Sequence, residues 1–406
     1  MMPLHGVRVA DFTRDLAGAF CPCLLALLGA EVIKVESTLR PDPTRQLARF
    51  FGWKRGATME GLDNSMEFCH VNLNKLSLTL DLTHPQGTEL ARRLVAVSDV
   101  AVENFRPGVM TRLGLDYETL RRVKPDLIML STCGWGATGP DKANASYAPI
   151  FAAVGGLSDL TGYQDLPPPT IRTVPDSSAA GMAAFAILCA LVYRQATGEG
   201  QYIDFSSAEN IISLVGDAVV EHSLTGIVPQ RQGNQDDTLV PHGTYRCRGD
   251  DRWVSIAVAD GQEWKALGEA VGHPEWLRDA RFSSLEERQR HREELDRLLE
   301  EWTISRSPEE VAVLLQGAGV AAVPVFNNDQ LCQDPHLQER KCFIPIEHSV
   351  IGRFTTLQPP WWFSETPPEI TSPGPLMGEH NGYVLGELLG LSPEDIERLV
   401  AERVLV

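Results

Sequence analysis

Basic residues are in short supply: 36 Lys and Arg face 54 Asp and Glu in 406 residues, a formal net charge of −18. So acidic a surface argues against nonspecific binding to nucleic acid or to anionic membranes, because phosphate contacts need a basic face. A phosphorylated small molecule still fits if a few cations converge on one pocket. The N-terminal MMPLHGVRVADFTR has no basic region leading into an apolar core, so no secretory signal is expected. Long apolar runs are also missing. The longest, Ala179 to Tyr193, is shorter than the roughly 20 residues that span a bilayer. Metal-ligand spacing is absent as well. Eight cysteines are scattered, and neither a second pair nor a nearby His completes a site around Cys21-Pro22-Cys23. Reduced thiols in a cytoplasmic protein are expected, with neither membrane nor nucleic acid as partner.

Several catalytic signatures are missing too. No G-x-S-x-G marks a nucleophile elbow, and His242 and His380 have no evident Ser or Cys partner. Gly134-Trp-Gly136-Ala-Thr-Gly139 fits the dinucleotide pattern and follows a strand-like segment. Pro140 and the polar DKANAS then stand where a phosphate-cradling helix should begin, so an active-site loop is the better reading.

What is present is an alternation of strand-like and helix-like segments. GVRVADF, AEVIKVE, SLTLDL, VAVENF, LIMLSTC and QYIDF read as strands, spaced by apolar or amphipathic helices such as PQGTELARRLVAVS. Such alternation implies a parallel sheet covered on both faces, an α/β fold. After residue 225 the pattern changes to a hairpin (GTYRCRGDDRWVSIAVA), one long charged helix (LEERQRHREELDRLLEEWT), a further helix and the strand AAVPVF. Residues 1–225 therefore read as a large domain and 226–328 as a smaller α+β domain. Residues 329–406, proline-rich before a last helix, return to the large one.

One acidic residue stands out. Asp176, between Pro175 and Ser177, opens the apolar stretch that ends in a Thr-Gly-x-Gly turn at Thr197 to Gly200. An aspartate at a helix start is commonly an N-cap. Its company points further. LHGVRVADFTRDLAG, VNLNKLSLTLDL, VENFRPGVMTRLGLDYETL, CGWGATGP, PHGTY, AAVPVFNNDQL and PLMGEH follow in order along the whole chain. Together they resemble the class III CoA-transferases, the family of formyl-CoA, carnitine and benzylsuccinate CoA-transferases.

The resemblance implies a Rossmann-like large domain built from both termini and a ring-shaped, interlocked homodimer, with a heteromer of homologous subunits as a variant. It implies Asp176 as nucleophile, since the family aspartate lies 18 residues before an Arg and 21 before the Thr of the turn. Arg194 and Thr197 occupy those places. Acyl-CoA and a carboxylic acid are then the substrates, with no tightly bound cofactor. Covalent transfer would run through an aspartyl anhydride and an aspartyl-CoA thioester. The CoA contacts implied are Asn72, Leu73, Asn74 and Lys75 beside the nucleotide, and Asn104, Phe105 and Arg106 in the next loop. Arg112 would meet phosphate, and Leu16 and Ala17 would border the pantetheine channel.

The chain departs from the family pattern at four places. Ala145 and Ser37 replace a Lys and an Arg, Ala180 replaces a Gly, and Ala17-Gly18-Ala19 replaces the usual Ala-Gly-Pro. A racemase branch of the family uses a His where this chain has Tyr147, a poor base with its ordinary pKa near 10, so CoA transfer is favoured over proton exchange. No glycine run precedes the small domain, which speaks against oxalate. A dicarboxylate or aryl-succinate acceptor with succinyl-CoA as donor is the expectation.

Overall fold

The computed structural model describes residues 1–50 and 61–406, with only the backbone for 47–50. The chain divides into two compact units, Met1–Ser158 with Thr170–Ile227 and Gln338–Val406, and Asp159–Pro169 with Val228–Leu337.

The first unit is built on six strands, β1 (Arg8–Asp11), β2 (Glu31–Glu36), β3 (Lys75–Thr79), β4 (Val100–Glu103), β5 (Ile128–Cys133) and β6 (Tyr202–Ser206). They pair in parallel in the order β3-β2-β1-β4-β5-β6. Strand side chains alternate between faces, and both faces of this sheet are apolar, as covered parallel sheets require. Ala10, Ala101 and Met129 point into one core with the helix Pro85–Ala96 and the C-terminal Val384, Leu385, Leu399 and Leu405. Val9, Val100, Val102, Ile128 and Leu130 point into the other, against the helices Asp15–Leu27 and Thr173–Thr197. The chain's end is thus part of the core that its beginning starts. By length and composition the helix Thr173–Thr197 could cross a membrane, yet Ala180, Ala183, Ala184, Ile187 and Ala190 are buried in this core.

The second unit holds the antiparallel sheet β7 (His242–Arg246), β8 (Trp253–Ala257) and β9 (Ala321–Pro324) under a helical layer. The charged segment expected as a single helix is two, Leu285–Arg290 and Arg292–Thr303, broken at His291 (φ −108°, ψ 24°). The sequence conceals the break because Arg288 is buried. It donates to the Val240 carbonyl at 3.0 Å and lies over the Trp264 ring, while Leu295 and Leu299 turn into the core. A further hairpin, β10 (Phe343–His348) and β11 (Gly352–Leu357), belongs to the first unit. Pro345 in its first strand masked it, since proline within an apolar run reads against a strand.

Candidate active site

Beyond β1 the chain turns towards β2 on one side of the sheet, while β4 pairs on the other. Open α/β sheets bind ligands outside the carboxyl ends of the strands at such a reversal. A cavity of about 840 Å3 opens there, walled by the segments that follow β1 (Arg14 to Gly18), β4 (Asn104 to Pro107) and β5 (Thr132 to Trp135). Close packing fixes these walls. The Arg14 N–H donates to Asn104 Oδ1 at 2.8 Å, and Asn104 Nδ2 donates to the Arg14 carbonyl at 2.6 Å. A Cβ on Gly18 would lie 2.3 Å from Asn104 Nδ2, so glycine is what lets the Asp15–Leu27 helix start against this loop.

Asp176 lines the cavity, half-buried in the first turn of the helix Thr173–Thr197. It is not the N-cap. The helix begins at Thr173 with Arg172 in the capping position, and Pro175 falls in the first turn, where its missing N–H breaks no helical bond. The helix macrodipole favours an anion there. Burial, and after it the charge of Asp15, push the Asp176 carboxyl up to about 7. Near neutral pH a large share is therefore ionised. Asp15 lines the same cavity with φ +61°, a left-handed backbone that favours glycine. Its N–H donates to Asp42 Oδ1 at 3.1 Å, and Asp42 pairs with the buried Lys34 at 2.9 Å. Burial and the neighbouring Asp42 raise the Asp15 carboxyl, against the lowering pull of Arg14 and Lys34.

The expected CoA contacts divide into two groups. Leu16, Ala17, Asn104, Phe105 and Arg106 line the cavity with Asp176. Asn72, Leu73, Asn74, Lys75 and Arg112 are not among its walls. Lys75 is buried, and its ammonium donates to Asp11 Oδ2 (2.8 Å), the Ala19 carbonyl (2.7 Å) and Asn72 Oδ1 (2.9 Å). The Asn72 amide donates to the Phe68 carbonyl, and Leu73 packs in a small core with Cys23 and Leu27. Asn74 (φ +59°) accepts from the N–H groups of Thr371 and Ser372, clasping the C-terminal segment. Arg112 is exposed on the short helix Val109–Leu113. Of the positions where the family pattern has a Lys or an Arg, Ala145 lines the cavity together with Lys142, whereas the Ser37 hydroxyl accepts from the Leu39 N–H outside it.

A second cavity of about 600 Å3 shares Phe105, Arg106 and Lys142 with the first and continues past Glu103 and Asp204. Glu103 is buried, which raises its carboxyl to about 7. Asp204, the rival carboxylate, lies in this second cavity and accepts from the Ala137 N–H at 2.8 Å. It shapes the glycine-rich loop. Of that loop's glycines only Gly134 reaches the Asp176 cavity. Arg194 and Thr197 sit at the opposite end of the Asp176 helix, where Arg194 pairs with Asp99 at 2.9 Å and Gly198 (φ +78°) closes the helix. The 18- and 21-residue spacings therefore measure helix length, not site geometry. Sequence reasoning missed Arg14, Asp15 and Trp135 as cavity walls. Arg14 Nε and Trp135 Nε1 are buried donors without a hydrogen-bond partner among the described residues.

A doubly covered parallel sheet with two neighbouring cavities at its reversal, the first lined by a half-buried carboxyl, is the architecture of an α/β ligand-binding site. The chain belongs to CoA-transferase family III, whose family model matches residues 4–381, and is a CoA-transferase of that class. It is 35% identical over 404 residues to the succinyl-CoA–D-citramalate CoA-transferase of Chloroflexus aurantiacus, covering 99% of this chain and 98% of that one. It is 33% identical to the beta subunit of succinyl-CoA–L-malate CoA-transferase from the same organism, covering 100% of this chain and 98% of the other. The crystal structure of a CaiB/BaiF family protein from Brucella suis superposes with a TM-score of 0.85 at 32% identity, covering 95% of this chain and 99% of that one.

Proposed function

We propose that this enzyme moves CoA from succinyl-CoA to a dicarboxylic acid, with Asp176 as the covalent carrier. The observation that carries the reading is the half-buried Asp176 carboxyl inside the 840 Å3 cavity. The relatives' succinyl-CoA donors and their citramalate and malate acceptors support the substrate class.

The Asp176 carboxylate attacks the thioester carbonyl, forming a mixed anhydride and releasing CoA thiolate. The thiolate attacks the Asp176 carbonyl, leaving an aspartyl-CoA thioester and free succinate. The acceptor's carboxylate then attacks that thioester to give a second anhydride, from which the returning thiolate makes the new acyl-CoA. Each step exchanges one acyl bond for another, so a hard exchange is split into easier ones. Leu16 and Ala17 border the thiol arm, Asn104, Phe105 and Arg106 lie along the nucleotide's path, and Lys142 offers a cation where Ala145 has none. The buried bonding of Asn72, Leu73, Asn74 and Lys75 supports a role in holding the walls. Arg112 is left as an exposed contact for an outlying phosphate. No metal-binding cluster of His, Cys, Asp or Glu exists among the described residues, and the transfer needs no tightly bound cofactor.

The working form is an interlocked dimer, either of two identical chains or with a homologous subunit as in the malate enzyme's subunits. Buried thiols such as Cys21, Cys23 and Cys69 suit a reducing cytoplasm. Incubation with succinyl-CoA and hydroxylamine, followed by peptide mass spectrometry, is expected to find a hydroxamate on Asp176. An unmodified Asp176 during turnover sinks the covalent route.

A further inference from the structure

The inner cations of the first unit are paired. Lys34 has Asp42, Arg45 has Glu36 and Lys75 has Asp11, all at 2.8 to 2.9 Å. Arg14 is the exception. It stands half-buried at the Asp176 cavity with no ion pair among the described residues, although Asp15 is its chain neighbour. Of its guanidinium donors, Nη2 reaches the Pro41 carbonyl at 2.7 Å, Nε is buried without a partner, and Nη1 makes no hydrogen bond among the described residues. An enclosed charge is ordinarily paired or hydrogen-bonded, and an unmet donor carries a desolvation cost. The backbone of Arg14 is meanwhile clamped on both sides by Asn104. A guanidinium with no counter-ion among the described residues, carried on a clamped backbone, is a site prepared for an anion.

The cavity's charges indicate which anion. Arg106 and Lys142 are shared between this cavity and the adjoining second one. Arg14 lines only the Asp176 cavity, beside Asp15. A free carboxylate on an acyl group bound there meets two acids, Asp15 and Asp176, and needs a cation to stay. Arg172, exposed at the start of the Asp176 helix, is a further cation that lines only this cavity. A planar guanidinium matches a carboxylate in fork geometry.

We propose that Arg14 is the specificity-determining residue that binds the non-reacting carboxylate of a dicarboxylic acyl group while its other carboxyl is exchanged at Asp176. This rests on the proposed CoA transfer and deepens it. The test compares succinyl-CoA with butyryl-CoA, which has the same chain length and lacks the second carboxylate, on the full-length enzyme and on Arg14→Gln and Arg14→Lys. For succinyl-CoA, Arg14→Gln is expected to lower kcat/KM on the order of 100-fold, mostly through KM. For butyryl-CoA the loss is expected to stay within about threefold, and Arg14→Lys to recover part of the discrimination. Equal losses for both donors, or an unchanged ratio, overturn the proposal. Calorimetric titration of succinate and butyrate into CoA-saturated enzyme reads the same selectivity without turnover. Absence of transfer in the unmodified enzyme overturns the proposed function, whereas equal succinate binding by unmodified and Arg14→Gln protein overturns the role of Arg14.

Discussion

At the scale of single residues, the site is governed by two carboxyls that a helix start and a strained turn bring into one cavity. In the proposed transfer Asp176 needs its charge to attack, and burial followed by the charge of Asp15 holds that carboxyl at about 7. The sign follows directly: a raised pKa leaves the group protonated over a wider acidic range. The kcat/KM profile is therefore expected to fall as pH drops through about 7, far above the ordinary carboxylate range. Asp15→Asn removes the second cause and leaves the first, so the acid limb is expected to move to lower pH while staying above the ordinary value. A pH–rate profile that is identical in the two proteins would deny the coupling. The same substitution leaves the φ +61° backbone tolerable, because Asn accepts left-handed geometry, which keeps the comparison electrostatic.

At the scale of elements, how much the sequence disclosed depends on how local the cause is. The parallel strands and the Asp176 helix could be read from apolar runs and from the turn at Thr197 to Gly200, because each cause lies within its own segment. The exact helix start could not, since Asp176 beside Pro175 reads as a cap, while the helix begins three residues earlier at Thr173. The role of Lys75 was hidden for a different reason: its partner Asp11 lies 64 residues away on β1 and meets it only once the sheet forms. Arg14 was hidden similarly, clamped by Asn104 from 90 residues away. A substitution separates the two readings of Lys75. Lys75→Met strands Asp11 without a counter-ion in the core, a loss of about 3–5 kcal/mol for a broken buried pair. It is expected to lower the denaturation midpoint sharply, and the folded fraction to keep its KM for succinyl-CoA within about twofold. Loss of CoA affinity at unchanged stability would return Lys75 to the nucleotide. The double variant Asp11→Leu/Lys75→Met is expected to regain part of the stability, because an apolar pair leaves no charge unmet.

At the scale of the whole molecule, two helices of the first unit carry exposed apolar side chains along one face. The helix Gly216–Thr225 buries none of its residues, with Val219, Val220 and Leu224 exposed by 52%, 56% and 80%. Met182, Phe185 and Val192 stand out on the solvent side of the Asp176 helix, the side opposite its buried alanines. Single exposed apolar side chains are ordinary, but recurring ones along two helices form the kind of surface that the proposed dimer would cover. Because the Asp176 helix carries one of these faces, the proposed assembly and the proposed chemistry would share an element, and covering the helix would hold its first turn in place. The expectation is a stable dimer whose dissociation also costs activity. Leu224→Glu with Phe185→Glu puts charges on both faces without touching the cavity. Sedimentation is expected to find monomers, with kcat falling more than about tenfold as the helix loses its cover. A protein that sediments as a monomer before substitution, or a double variant that remains a fully active dimer, would mean that these faces serve another purpose.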